Sequence, residues 1–237
     1  MFLRRSGSKV LSLLLILGLA FSMAGEPARA KEGDAIRIAM IDTGISSAAI
    51  PAEHIAEGRN YIFPVRSAED DNGHGTAVAG IIAGSEKAGV EGLSPQAELV
   101  PLVYYSKARD DYDVKGGLNL LAQIIRDAVD VYHARIINIS SGAKSDSSDL
   151  RDAVAWAERH GVLVVASAGN DGNGSVYYPC AYSTVICVGT VNETEDGPAS
   201  FSNRFSGVDV LAPGIGLKTV NLKGEAAFVT GTSFSAA

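Results

Sequence analysis

Apolar segments of strand length alternate with helical patterns through most of this chain. The sequence predicts strands over residues 36–42, 97–105, 135–140, 161–169 and 183–191, and helices over residues 74–83, 118–131 and 150–160. Because the strands are apolar throughout, both faces of the sheet that they form must be covered. The predicted fold class is therefore α/β, with a mostly parallel sheet and helices on both faces. The 237 residues contain no repeat and no linker, as in one domain.

The first thirty residues have the pattern of a secretory signal peptide. A basic start with Arg4, Arg5 and Lys9 precedes an apolar run over residues 10–21, and small residues end the segment at Ala30. A membrane anchor is the alternative, but it needs about 20 apolar residues. We therefore expect residues 1–30 to be a signal peptide, residues 31–237 to be the domain, and the protein to be secreted and extracellular, without a stable membrane anchor.

Removing the signal peptide makes the charge balance more acidic. Residues 1–30 hold four of the 20 basic residues and one of the 27 acidic residues, so residues 31–237 carry a formal charge of −10. A nucleic acid is therefore not an expected partner. The oligomeric state stays open at this stage.

The two cysteines, Cys180 and Cys187, flank one short segment. Export would allow a disulfide between them. Two buried thiols in adjoining strands are the alternative, and the sequence leaves both open.

Asp42 lies in an Asp-Thr-Gly tripeptide that directly follows a predicted strand. Such a tripeptide delivers the catalytic carboxylate of aspartic proteases, in which two aspartates share one proton. The chain has only one such tripeptide, and its alternation of strands and helices argues against a dimeric enzyme of that type. Asp42 is better interpreted as a carboxylate that orients a histidine.

Two further stretches supply partners for Asp42. The sequence DNGHGTAVAG places His74 at the start of a helix, and GTSFSAA places Ser233 after a Gly-Thr pair. Alone, His74 is more typical of a capping or surface residue, and Ser233 of a helix N-cap. In the order Asp, His, Ser, with SAGNDG between the last two, they indicate nucleophilic catalysis.

Residues 36–237 resemble the subtilisin-like serine proteases, the subtilase family. The resemblance is carried by IDTGI, DNGHGTAVAG, IINISSGA, ASAGNDG, FSNRFSGVDVLAPG and GTSFSAA, in that order. It implies that Asp42, His74 and Ser233 form the catalytic triad of a serine endopeptidase and that Asn170 donates to the oxyanion. An α/β-hydrolase is disfavoured because all four histidines precede Ser233, whereas that fold places its histidine after its serine.

The resemblance also implies where a polypeptide substrate binds. The substrate would lie along two backbone segments, one with Ser140, Ser141 and Gly142, and the other with Ser167, Ala168 and Gly169. This chain has Ser141 and Ala143 where the family usually has Leu and Gly, and Tyr177 falls near the expected pocket floor. These differences leave the side-chain preference open.

Three features depart from the family pattern. Asp42 comes only eleven residues after Lys31, which leaves no room for the long pro-segment of secreted relatives. Residues 84–92 do not form a recognisable calcium loop, so no metal and no cofactor are assigned. Only four residues follow Ser233, so we expect a C-terminally incomplete domain that lacks its last helices.

Two interpretations of function follow from these observations. One is a secreted serine endopeptidase that works through the triad and an acyl-enzyme. The other is a truncated, catalytically silent protein that at most binds peptides. For the chain ending at Ala237 we expect no labelling by a fluorophosphonate, and labelling at Ser233 once the missing helix is added.

Overall fold

The computed structural model of the chain describes residues 35–107 and 117–237. The predicted signal peptide, residues 1–30, lies outside the described residues, so its assignment stays a prediction. Within the described part, no helix is long and apolar enough to cross a membrane.

The strands and helices are numbered in chain order. The strands are β1 (Arg37–Asp42), β2 (Arg59–Asn60), β3 (Gly84–Ser85), β4 (Val90–Glu91), β5 (Glu98–Val103), β6 (Ile136–Ile139), β7 (Leu163–Ser167), β8 (Val185–Thr190), β9 (Val210–Ala212), β10 (Leu217–Val220) and β11 (Ala226–Val229). The helices are α1 (His74–Ala83), α2 (Gly117–Asp130), α3 (Ser148–Arg159) and α4 (Thr232–Ser235), with 3-10 turns at Ala52–His54 and Glu86–Ala88.

Seven of these strands form one parallel sheet in the order β2-β5-β1-β6-β7-β8-β9. Met40 in β1 lies opposite Pro101 in β5 and Asn138 in β6, which fixes the register at the centre. Strands β5 and β2 lie on one side of β1, and β6 begins the other side. In parallel sheets, the crevice outside the carboxyl ends of the strands at such a reversal is the usual ligand site.

Helices cover both faces of the sheet, as the apolar strands predict. On one face, Ile41 belongs to a buried cluster with Ile125 of α2 and Val154 of α3. On the other face, Met40 belongs to a second cluster with Val78 of α1. Because successive side chains of a strand point to opposite faces, neighbouring residues of β1 serve two different cores. The predicted α/β class is confirmed.

Helix α1 packs unusually close to β10. A Cβ added at Gly80 would lie only 2.5 Å from Thr219 Oγ1, so no larger residue fits there without a shift. The Thr219 hydroxyl in turn donates to the carbonyl oxygen of Ala77, at 2.6 Å. This contact attaches the helix that begins with His74 to the hairpin that leads into α4.

Candidate active site

The predicted catalytic residues lie at the carboxyl edge of the parallel sheet or on helices that face this edge. Asp42 is the last residue of β1, His74 is the first residue of α1, and Ser233 is the second residue of α4. Together with Asn170, which follows β7, they line one cleft of about 610 Å³. Asp42 and Ser233, 191 positions apart in the chain, thus meet at the point where the strand order reverses.

Asp42 and His74 form a tight pair. Nδ1 of His74 lies 2.8 Å from Oδ1 and 3.0 Å from Oδ2 of the Asp42 carboxylate, and Asp42 as a whole is 3% exposed. The backbone N–H of Thr43 also donates to Oδ1, at 2.7 Å. A Cβ at Gly75 would lie 2.3 Å from the Gly44 carbonyl oxygen, so this glycine is what lets α1 approach β1 closely enough for the pair.

The surroundings of His74 favour its protonated form. Burial is the largest influence and lowers the pKa of the imidazole, but the charge of Asp42, its hydrogen bond and the charge of Asp70 act against burial. The net result is a pKa above the ordinary value. The site therefore stabilises an imidazolium, the species that forms when a histidine accepts a proton from a nucleophile.

Asp70 organises the turn that leads into α1. Its Oδ1 accepts the N–H groups of Asn72 and Gly73, at 2.8 and 2.9 Å. Its Oδ2 accepts both the N–H and the hydroxyl of Thr76, at 2.9 and 2.6 Å. One buried carboxylate thus satisfies four donors around the start of the helix that carries His74.

The Ser233 hydroxyl donates to the carbonyl oxygen of Ser140, at 3.0 Å, and not to His74. The Ser140 hydroxyl in return donates to the Ser233 carbonyl oxygen, at 2.8 Å. Two residues earlier, Asn138 Nδ2 donates to the Ala236 carbonyl oxygen, at 2.7 Å. The end of β6 and the segment after it therefore hold α4 in place from both of its ends.

The Asn170 side chain is oriented by Thr232. Its Oδ1 accepts the backbone N–H and the hydroxyl of Thr232, at 2.9 and 3.0 Å. Because the carbonyl side of the amide is occupied in this way, its NH₂ side keeps its donors available beside the cleft. Thr232 was not predicted as a site residue, although it directly precedes the predicted nucleophile.

The two predicted substrate segments form facing parts of the cleft. Ser140, Ser141 and Gly142 line it after β6, and Ser167 and Gly169 line it at the end of β7. Ala168, which was predicted with them, is buried and does not line the cleft. Its carbonyl oxygen instead accepts a hydrogen bond from Asn203 Nδ2, at 3.0 Å.

Other lining residues were not predicted. Tyr104 and Tyr105 follow the carboxyl end of β5, and Ile62, Asn72, Ser106 and Lys107 continue that side of the cleft. Residues 104–107 directly follow β5, the neighbour of β1 in the parallel sheet, and this position is the signal that could have identified them.

Cys180 and Cys187 are joined by a disulfide in the structure. Cys187 belongs to β8, and Cys180 lies in the loop between β7 and β8 that also carries Tyr177. Elsewhere in residues 35–107 and 117–237, no group of three or more His, Cys, Asp or Glu side chains is placed to hold a metal ion.

Comparison with known proteins gives the same family throughout. The family model described as the subtilase family matches residues 33–237. The minor extracellular protease Epr of Bacillus subtilis (strain 168) is 42% identical over 205 residues, which are 85% of this chain and 30% of that protein. Subtilisin BL of Lederbergia lenta is 35% identical over 208 residues, which are 87% of this chain and 74% of that protein. The chain thus spans less than a third of Epr.

Solved structures show the same similarity. The S41 psychrophilic protease superposes with a TM-score of 0.74 at 30% identity, covering 86% of this chain and 74% of that chain. The prenylagaramide maturation protease PagA superposes with a TM-score of 0.71 at 26% identity, covering 93% of this chain and 75% of that chain.

Proposed function

Since this chain belongs to the subtilase family of serine proteases, we propose that it is a secreted endopeptidase that cleaves peptide bonds through an acyl-enzyme on Ser233. The proposal rests chiefly on one observation: Asp42, His74 and Ser233 line a single cleft, and both carboxylate oxygens of Asp42 lie within 3.0 Å of His74 Nδ1.

In the proposed reaction, His74 acts as the general base and then as the general acid. Nδ1 is engaged by Asp42, so Nε2 is the ring nitrogen that takes the proton from Ser233 Oγ. The hydroxyl must first leave the Ser140 carbonyl oxygen to which it donates. Asp42 keeps the proton on Nδ1 and stabilises the imidazolium, which then protonates the leaving amine.

The negative charge of the tetrahedral intermediate needs donors close to the attacked carbonyl. We assign this role to the Asn170 side-chain NH₂ and to the backbone N–H of Ser233. The first is supported by the occupation of Asn170 Oδ1 by Thr232. The second is supported by its place in the first turn of α4, where N–H groups have no partner within the helix. Such donors stabilise the transition state more than the ground state.

The substrate side of the proposal is a polypeptide lying between the segments at Ser140 and Ser167. Export is supported by the predicted signal peptide over residues 1–30 and by the extracellular relative Epr. Residues 31–237 then belong to the peptidase domain. No observation favours the alternative of a catalytically silent peptide-binding protein.

Active-site labelling tests this function directly. The protein expressed from its complete reading frame is treated with a fluorophosphonate, digested and analysed by mass spectrometry, and its hydrolysis of casein is measured in parallel. We expect a phosphonylated peptide containing Ser233 and loss of hydrolysis in proportion to labelling. The Ser233→Ala variant is the control and should show neither. Labelling at another serine, with hydrolysis retained in Ser233→Ala, would refute the assignment.

A further inference from the structure

One aromatic ring spans the gap between the two segments that line the cleft next to Ser233. A Cβ added at Gly142 would lie 3.3 Å from Tyr177 Cβ and 3.4 Å from its Cδ1. A Cβ added at Gly169 would lie 3.0 Å from Tyr177 Cδ2 and 3.2 Å from its Cε2. Opposite edges of the ring therefore contact the backbones of both segments, and Tyr177 itself lines the cleft.

A polar clamp holds the far end of this ring. The Tyr177 hydroxyl donates to Oδ2 of Asp171, at 3.1 Å. The same Oδ2 also forms an ion pair with Lys144 Nζ, at 2.8 Å. This Nζ lies 5.4 Å from the centre of the Tyr177 ring. Lys144 follows the Ser140 segment and Asp171 follows the Ser167 segment, so the clamp joins the two sides of the cleft across Tyr177.

The backbone beside Tyr177 is also anchored. Tyr178 and Ala143 exchange two backbone hydrogen bonds, with N to O distances of 2.8 and 2.9 Å. Two residues farther along, Cys180 is tied to β8 through the disulfide with Cys187. The backbone that directly follows Tyr177 is therefore held in place, so the ring can leave the gap only by a rotation of its own side chain or by loss of these ties.

We propose that Tyr177 fills the subsite next to Ser233 and restricts the substrate residue before the scissile bond to glycine or alanine. This inference rests on the proposed endopeptidase function and adds to it a substrate class. The methyl side chain of a substrate alanine needs little depth between the two segments. A leucine or phenylalanine side chain would have to occupy the volume that the ring fills. The contacts of the ring with both segments hold it there, and the solvent-exposed clamp adds a smaller restraint.

The test compares peptide p-nitroanilides that are identical except for alanine or phenylalanine as the last residue. In the protein expressed from its complete reading frame, kcat/KM should strongly favour alanine. Tyr177→Ala should raise kcat/KM for the phenylalanine peptide, relative to the alanine peptide, by about tenfold or more, the range that a few methylene groups produce in a pocket. Val176→Ala, an exposed neighbour in the same loop, is the matched control and should leave that ratio within about twofold.

A second variant tests the clamp. Lys144→Met removes the ion pair and keeps an unbranched side chain, so it should relax the preference in the same direction as Tyr177→Ala but less. A wild-type preference for phenylalanine, or an alanine to phenylalanine ratio unchanged in Tyr177→Ala, would overturn the inference. An unchanged ratio in Lys144→Met alone would overturn the role of the clamp.

Binding measurements separate this inference from the proposed function. In a Ser233→Ala background no acyl-enzyme can form, and the dissociation constants of both peptides are measured by calorimetry. If the wild type hydrolyses neither peptide but Tyr177→Ala tightens binding of the phenylalanine peptide, the proposed function fails and the subsite assignment stands. If hydrolysis occurs and neither binding nor kcat/KM responds to Tyr177→Ala, only the subsite assignment fails. If neither peptide is hydrolysed and neither binds, with or without Tyr177→Ala, both are refuted.

Discussion

The Asp42 and His74 pair is the most completely determined part of the site at the scale of single residues. Asp42 is buried, accepts the Thr43 N–H and lies against His74 Nδ1. Ser233, in contrast, is held through its bonds with Ser140. The proposed base is therefore held by its carboxylate partner, while the hydroxyl of the proposed nucleophile is engaged by the Ser140 carbonyl oxygen.

Replacing Asp42 by asparagine should remove most of the turnover and leave the fold intact. Asparagine has nearly the same shape, but its amide can hold the wrong tautomer of His74, and it carries no charge for the imidazolium. We expect kcat to fall by about 10⁴-fold, the loss typical of this change in a serine triad. Stopped assays with a peptide amide measure kcat, and circular dichroism checks the fold. Near-normal kcat in a folded variant would contradict the role given to Asp42.

The titration of His74 gives a second prediction. Its pKa in the folded protein lies above the ordinary value, so the imidazolium is favoured by folding. This contribution to the free energy of unfolding is fully present below the unfolded-state pKa of about 6.5 and is lost as pH rises through the folded-state pKa. The proposed general base is the neutral ring of His74, so kcat/KM should rise as the pH rises through the folded-state pKa.

NMR of the His74 ring as a function of pH measures the midpoint of its titration, which is the folded-state pKa. In Asp42→Asn the influence of burial is no longer outweighed by the adjacent charge, and the midpoint should fall. The signal is assigned by its absence in His74→Gln. A midpoint that is unchanged by Asp42→Asn would show that the pair does not set this pKa.

Asn170 should affect kcat far more than KM. Its proposed donor acts on the oxyanion, which is absent from the ground state and forms on the way to the tetrahedral intermediate, so Asn170→Ala removes no ground-state binding. We expect kcat to fall by about 10² to 10³. Asn170→Ala also leaves the Thr232 N–H without its acceptor. Asn170→Asp is therefore a second variant, because its ionised carboxylate keeps an acceptor for Thr232 but has no donor. Its kcat should be at least as low as that of Asn170→Ala. A loss confined to KM in both would exclude the oxyanion role.

At the scale of elements, the long buried strands and the helices could be predicted from the sequence. Strands β1, β5, β6, β7 and β8 lie within the predicted segments because their side chains are apolar on both faces. The prediction of α1 matches its bounds, since glycines with positive φ, Gly73 and Gly84, stand at both ends.

Two of the strands that were not predicted, β9 and β11, pair with neighbouring strands but lack a buried apolar pattern. Strand β9 has two exposed apolar residues, Val210 and Leu211, and β11 exposes Phe228, so neither shows a buried pattern. The partner of the Ser233 hydroxyl could not be predicted either, because Ser140 is 93 residues away and the contact depends on how β6 meets α4. Likewise, nothing local to Tyr177 indicates that its ring spans Gly142 and Gly169.

The loop between β7 and β8 gives a prediction about stability. The disulfide joins two cysteines that are seven positions apart, and it restricts the unfolded chain. The double variant Cys180→Ser/Cys187→Ser should therefore lower the free energy of unfolding by about 2 to 3 kcal/mol. Urea unfolding measures this, and dithiothreitol should shift the midpoint of the wild type but not of the variant. Two free thiols in the non-reduced secreted protein, found by mass spectrometry, would exclude the bond.

At the scale of the whole molecule, the site exists because of strand order. Asp42 ends β1, the residues around Ser140 follow β6, and Asn170 follows β7, and these three strands are neighbours in the centre of the sheet. Parallel strands bring their carboxyl ends to one edge, so segments far apart in the chain deliver polar groups to one crevice. The helices α1 and α4 then add His74 and Ser233 from the same side.

The last prediction concerns export. A basic start followed by an apolar run drives translocation, and small residues at Ala28 and Ala30 allow cleavage. The mature protein in the medium of a secreting bacterial host should therefore begin at Lys31, as read by N-terminal sequencing. Leu14→Arg places a charge in the apolar run and should keep the protein in the cells with residues 1–30 attached. Glu26→Gln lies outside that run, serves as the control, and should be exported normally. Secretion of Leu14→Arg at the wild-type level, or a mature N-terminus far from Lys31, would contradict the assignment of residues 1–30.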